Sequence, residues 1–275
     1  NGDVLSLNDC IKATKGIDTV IHLAAINGTE NFYKIPYRVL EVGAKGAFNT
    51  IEASIKSNVK NYLVTSSSEV YQEPTIIPTD EDERMIIPSI NNPRFSYSIG
   101  KIVSEAAAIY SPADKLKRII CRPHNFYGPD MGVAHVIPQF IIRMKELSRN
   151  FTKPYIDFPI QGDGKETRSF CFINDGVDGL LNALIYGKNK EIYHIGTEKE
   201  YSISSLAKKI AHTLGLKINI VKGNIREGGT SKRCPNIQKI RNIGFEPKIN
   251  LNKGLGLTVD WYLKNNFEEE KGEVT

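Results

Sequence analysis

The chain has 275 residues, 40% hydrophobic and 24% charged, with a formal net charge of +5, the composition of an ordinary globular protein. No apolar run approaches the ~18–20 residues that span a bilayer, and no charged-then-apolar leader opens the chain, so neither a membrane protein nor a secreted one is expected. Lysines and arginines are scattered rather than gathered in a tract, which argues against a nucleic-acid partner and suits a small anionic substrate.

In chain order, Ile17 to Leu23 reads as a strand ending in Ala24 and Ala25, and Pro36 opens a helical pattern to Ser57. Tyr62-Leu63-Val64 is a second buried strand, followed by Thr65 and the serines 66–68. A polar loop from Gln72 to Pro93 leads to a helix over Phe95 to Tyr110 and a strand at Arg118 to Cys121. This alternation predicts an α/β protein with a Rossmann-like, doubly wound parallel sheet, whose ligands bind beyond the carboxyl ends of the strands. Pro123, Gly128, Pro129 and Pro138 then break the chain before a helix at Gln139 to Leu147. A strand is expected at Arg168 to Ile173, a helix at Asp175 to Tyr186, a strand at Ile192 to Ile195 and a helix at Ile203 to Leu214. The cofactor domain is assigned to 1–125 with 170–197 returning to it. A smaller mixed α/β substrate domain takes 126–169 and 198–266, and 267–275 is a polar tail. The cysteines at 10, 121, 171 and 234 form no CxxC pair, so no metal site is expected and reduced thiols in the cytoplasm are the default.

Tyr97 and Lys101 form a YxxxK pair on one helical face. Free tyrosine, with a pKa near ~10, is a poor base. A neighbouring ammonium and an oxidised nicotinamide would favour the phenolate, which could take a hydroxyl proton while hydride leaves the same carbon.

The order of features around this pair resembles the extended short-chain dehydrogenase/reductase family of NAD-dependent epimerases and dehydratases. The matching pieces are His22-Leu23-Ala24-Ala25, Ser66 to Tyr71, Tyr97 with Lys101, and Arg122 to Pro129. Gln161 to Gly164, Thr167 to Phe170, Arg233 to Asn236 and Gly244 to Pro247 follow in the same order. The resemblance implies Tyr97 as base, Lys101 as ribose holder, Ser67 as the hydroxyl that binds the sugar, and Glu69 as a catalytic carboxylate. It implies NAD, with NADP not excluded, contacted by Asp3, Val4, Leu23, Ala24, Ala25, Thr65, Ser66, Tyr97, Lys101 and Pro123. Ser67, Asn125, Arg168 and Arg233 would bind a nucleotide-diphosphate sugar, arginine being suited to phosphate by its planar fork. The implied activity oxidises the sugar transiently at C4 and then epimerises, dehydrates or decarboxylates it. Ser68 to Tyr71 and Asn92 to Tyr97 resemble UDP-glucuronate decarboxylases, and Ser67 also suits 4-epimerases. A homodimer paired through the helices at 36–57 and 95–110 is implied. The alternative is a non-catalytic nucleotide-binding relative. His124 and His135 are read as packed or loop histidines rather than acid–base groups.

Two features depart from the family pattern. No glycine-rich turn receives the cofactor pyrophosphate, so roughly 50–60 residues, about two strand–helix units, are expected upstream of Asn1. Gly43 stands where many relatives carry asparagine, which puts a proton relay through that amide in question.

Overall fold

The structure is a computed structural model that describes residues 1–149, 154–224 and 230–265; the tail read at 267–275 lies outside the described residues. The first stretch holds α1 (Leu7–Thr14), β1 (Thr19–His22), α2 (Thr29–Lys34), α3 (Pro36–Lys56), β2 (Asn61–Thr65), α4 (Ser96–Tyr110) and β3 (Lys117–Pro123). The chain then runs through β4 (Phe126–Tyr127), α5 (Val136–Ser148), β5 (Ile156–Gln161), β6 (Thr167–Ser169), β7 (Cys171–Phe172), α6 (Ile173–Tyr186) and β8 (Glu191–Ile195). It continues through β9 (Glu200–Ser202), α7 (Ile203–Thr213), β10 (Ile218–Gly223), β11 (Lys232–Arg233), α8 (Gln238–Arg241) and α9 (Leu251–Lys264).

β1, β2, β3 and β8 form a parallel sheet in that order. Strand alternation divides its side chains between two layers. Tyr62, Val64 and Ile120 join Ile51 of α3 and Ala108 of α4 in one core. Leu63, Ile119 and Cys121 join Ala183 of α6, Ile195 and Ile240 of α8 in another. A third core gathers Ile141 and Met144 of α5, Phe158 of β5, Leu206 and Ile210 of α7 and Val259 of α9. All four cysteines are buried free thiols. Among the described residues, no helix is long and apolar enough to cross a membrane.

Three expectations are corrected. The first strand is shorter than Ile17 to Leu23: it spans Thr19–His22, and Ile17 and Leu23 are exposed. The strand expected at 168–173 is two, because Phe170 turns into the third core between them. β6 pairs with β9 and β11, whereas β7 pairs with β4. Pro138 does not precede its helix but lies in the first turn of α5, where a missing N–H leaves no bond unmade.

Candidate active site

The carboxyl ends of β1, β2 and β3 open into a cleft of about 590 Å³. Leu23 and Ala25 line it from beyond β1, Thr65, Ser66 and Ser67 from the end of β2, and Pro123 and Asn125 from the end of β3. Tyr97 and Lys101 enter from α4. A second hollow of about 550 Å³ shares Thr29, Glu69, Asn125 and Arg233 with the first and adds Arg94, Arg143 and Arg168. The two make one continuous groove.

Ser67 is extended, and its Oγ accepts from the N–H of Glu69 at 3.2 Å, capping the short turn Ser68–Val70. Lys101 Nζ donates to the Thr65 carbonyl at 2.7 Å and lies 5.6 Å from the centre of the Tyr97 ring. Phe32 of α2, a helix the sequence reading did not include, stacks on that ring at 4.8 Å. Burial pushes the phenol up to about 12, while the Ser67 hydroxyl beside it works the other way. Burial pulls the Lys101 ammonium down to about 8, opposed by Glu105 one turn on. In the protein alone, burial is the largest influence on the phenol, and the Lys101 ammonium beside the ring also donates to a carbonyl.

Glu69 Oε1 lies 2.8 Å from Arg233 Nη1, and its Oε2 is 4.0 Å from Arg94. Burial alone would raise this carboxyl, but Arg233, Arg94 and Arg168 hold it below the ordinary carboxylate range. Arg168 donates to the carbonyls of Thr167 and Thr230 at 2.7 and 2.6 Å, and burial, then Arg233, pulls it down to about 10. Arg94, Arg143, Arg168 and Arg233 line this hollow with three carboxylates, Glu30, Glu69 and Glu166, and among the described residues the buried Nε–H groups of Arg94 and Arg233 have no partner. Such a surplus suits an anion with several oxygens. Asn125, at φ +44°, donates from Nδ2 to the Ser169 carbonyl at 2.8 Å.

The nicotinamide ribose end of a dinucleotide suits the other end of the cleft, where Ala25, Thr65 and Lys101 line the wall and the buried Ser66 hydroxyl has no protein partner. Asp3 and Val4 do not line this cleft. Asp3 is exposed and caps the Leu5 N–H at 2.9 Å, and Val4 packs on Gly46. Ala24 is exposed between two lining residues. His124 is wholly buried, while His135 lines the cleft. Arg94 escaped sequence reading, although its spacing of three from Tyr97 would have put both on one helical turn.

A parallel sheet wound on both faces, with its cleft beyond the strand ends, defines the architecture of dinucleotide-dependent enzymes. Residues 1–196 match the model of the NAD dependent epimerase/dehydratase family, and the chain belongs to that family. It is 29% identical over 269 residues to a UDP-N-acetyl-alpha-D-glucosaminuronate decarboxylase of Bacillus cytotoxicus, covering 94% of this chain and 81% of the relative. It is 31% identical over 257 residues to a putative UDP-glucose 4-epimerase of Methanocaldococcus jannaschii, covering 92% and 79%. The solved UDP-glucose 4-epimerase of Thermotoga maritima, with UDP-glucose, superposes with a TM-score of 0.84 at 26% identity, covering 96% of this chain and 83% of that one.

Proposed function

We propose that the protein modifies a nucleotide-diphosphate sugar through transient oxidation at C4, with NAD as cofactor. The observation that carries this reading is one groove holding Ser67, Tyr97 and Lys101 beside Glu69, Arg168 and Arg233. Leu23, Ala25, Thr65, Ser66, Lys101 and Pro123 would hold the cofactor. When bound, NAD supplies the hydride acceptor and later the hydride donor. Ser67 Oγ holds the C4 hydroxyl, and Tyr97 takes its proton. The phenol becomes a useful base when positive charge stands beside it. Arg168 and Arg233 bind the diphosphate, with Asn125 at the turn between the two hollows.

A 4-keto sugar has acidic C–H bonds at the neighbouring carbons. Glu69, ionised by its arginines, is equipped to move a proton at C5 or to steer the loss of a carboxylate there. Oxidation itself needs only Ser67, Tyr97 and the cofactor. Glu69→Gln should leave single-turnover NADH formation intact and slow product formation by about 10²-fold or more, the scale of a lost acid or base. If neither step slows, Glu69 is a loop carboxylate and a simple 4-epimerase is the better reading. If neither NADH nor product forms even in the unaltered protein, supplied with NAD and UDP-, GDP- and dTDP-sugars in turn, a non-catalytic nucleotide-binding relative is the better reading.

In this reading the protein works as a homodimer through α3 and α4, where Phe48 and Tyr110 are 53% and 82% exposed. A monomer in light scattering at micromolar concentration would reject the dimer. Its free thiols support a reducing compartment, the cytoplasm.

A further inference from the structure

The Glu69–Arg233 ion pair joins segments far apart in the chain, and one buried residue bonds to both. His194 of β8 is wholly buried. Its Nδ1 lies 3.1 Å from the carbonyl of Asn236, three residues beyond Arg233. A carbonyl only accepts, so Nδ1 carries the proton. Nε2 is then the acceptor, and the Tyr71 hydroxyl donates to it at 2.5 Å. Tyr71 follows Glu69 by two residues and closes the turn that carries it.

Both arms are fixed from behind. The Tyr71 oxygen accepts from Arg122, whose guanidinium is locked to Glu105 by bonds of 2.8 and 2.7 Å. The Asn236 arm is zipped to the long loop, with Thr79 N donating to the Cys234 carbonyl at 2.8 Å and Asn236 N to the Thr79 carbonyl at 2.7 Å. The main-chain N–H of His194 donates to Glu81 Oε1 at 2.9 Å. His124 meets the imidazole edge to face at 4.6 Å, which holds its plane.

We propose that His194 is a positioning residue, whose neutral imidazole bridges Tyr71 and Asn236 and so sets the contact between Glu69 and Arg233. The inference rests on the role given to Glu69 above. Burial pulls the imidazole down to about 3, so the bridge keeps one protonation state across the working pH range. Replacing the ring would leave each arm on its own anchor but remove the bridge that sets one against the other, with both charges still in the groove.

The test is the titration of the Glu69 carboxyl, followed by ¹³C NMR and assigned by its loss in Glu69→Gln. The charged and titratable groups facing this carboxyl are Arg233, Arg94, Arg168 and Tyr97. His194→Phe removes both bonds. Tyr71→Phe removes one hydroxyl, keeps the ring, and serves if the first variant fails to fold. In each, the Glu69 midpoint should rise by about one pH unit as Arg233 moves off. The double variant should be no worse than the single ones. Product formation should fall about tenfold, the cost of a small misplacement, with single-turnover NADH formation unchanged at saturating sugar nucleotide, where weaker diphosphate binding by a displaced Arg233 no longer counts. An unmoved Glu69 midpoint in folded Tyr71→Phe overturns the proposal, whatever happens to turnover. A moved midpoint with normal product formation supports the positioning and rejects the catalytic reading of Glu69.

Discussion

Gly43 of α3 and Gly100 of α4 meet backbone to backbone: a Cβ on Gly43 would stand 3.2 Å from the Gly100 Cα. Gly100 lies between Tyr97 and Lys101, so this contact sets how deeply the catalytic helix sits. The departure at position 43 has a steric reason, because an asparagine there would push the two helices apart. Gly43→Asn should therefore lower stability by about 1–3 kcal/mol, the range for overpacking, and reduce turnover with it. Urea unfolding checks this; an unchanged midpoint would show that α4 has room to yield.

Tyr97→Phe should abolish turnover while leaving affinity for the sugar nucleotide within a few-fold. The ring keeps its stack on Phe32, and only the hydroxyl that moves the proton is gone. Calorimetric titration beside a turnover assay separates the two, and near-normal turnover would remove Tyr97 from the mechanism.

Lys101 links stability to pH. Its ordinary value of 10.5 drops to about 8 in the fold, chiefly through burial. Below about 8 both folded and unfolded chains hold the proton, and the cost of burying the charge is fully present. Between there and 10.5 the unfolded chain holds more protons, so stability rises with pH. The difference in unfolding free energy between the unaltered protein and Lys101→Met should grow by about 2 kcal/mol from pH 8 to pH 10. Parallel curves in urea titrations across that range would contradict it.

Arg122 and Glu105 form an ion pair with both side chains only 2% exposed. Arg122→Met strands the carboxylate and should cost about 3–5 kcal/mol. Arg122→Met combined with Glu105→Leu should recover much of that loss, because no charge is then left unpaired. If the double variant is less stable than the single one, the pair contributes more than mutual neutralisation.

The parallel sheet was legible because Tyr62 to Val64 and Ile119 to Cys121 are continuous apolar runs, as strands buried on both faces require. β5 was not, although Ile156, Phe158 and Ile160 are buried and alternate with exposed positions. Pro159, at an exposed position, disguises the strand and is tolerated because, among the described residues, β5 pairs with β10 alone. α9 was masked by Gly254 and Gly256, which read as breakers; Gly254 is there because the Tyr127 hydroxyl leaves no room for a Cβ. At the site, Tyr97 and Lys101 could be paired from helical spacing, and Ser67 could be named through the family resemblance. The grip of Arg233 on Glu69 could not, since 164 residues separate them and only the folded loops bring them together.

The third core stands apart from the two that flank the parallel sheet. Tyr97 and Lys101 ride on α4, which packs on the parallel sheet, whereas Arg168 of β6 lies two residues from Phe170 of the third core. Substitutions around β6 can retune which ligand is accepted without repacking the walls that hold Tyr97. Divergence of specificity within such a lineage needs few compensating changes, and it should concentrate on the side of the groove that the parallel sheet does not build.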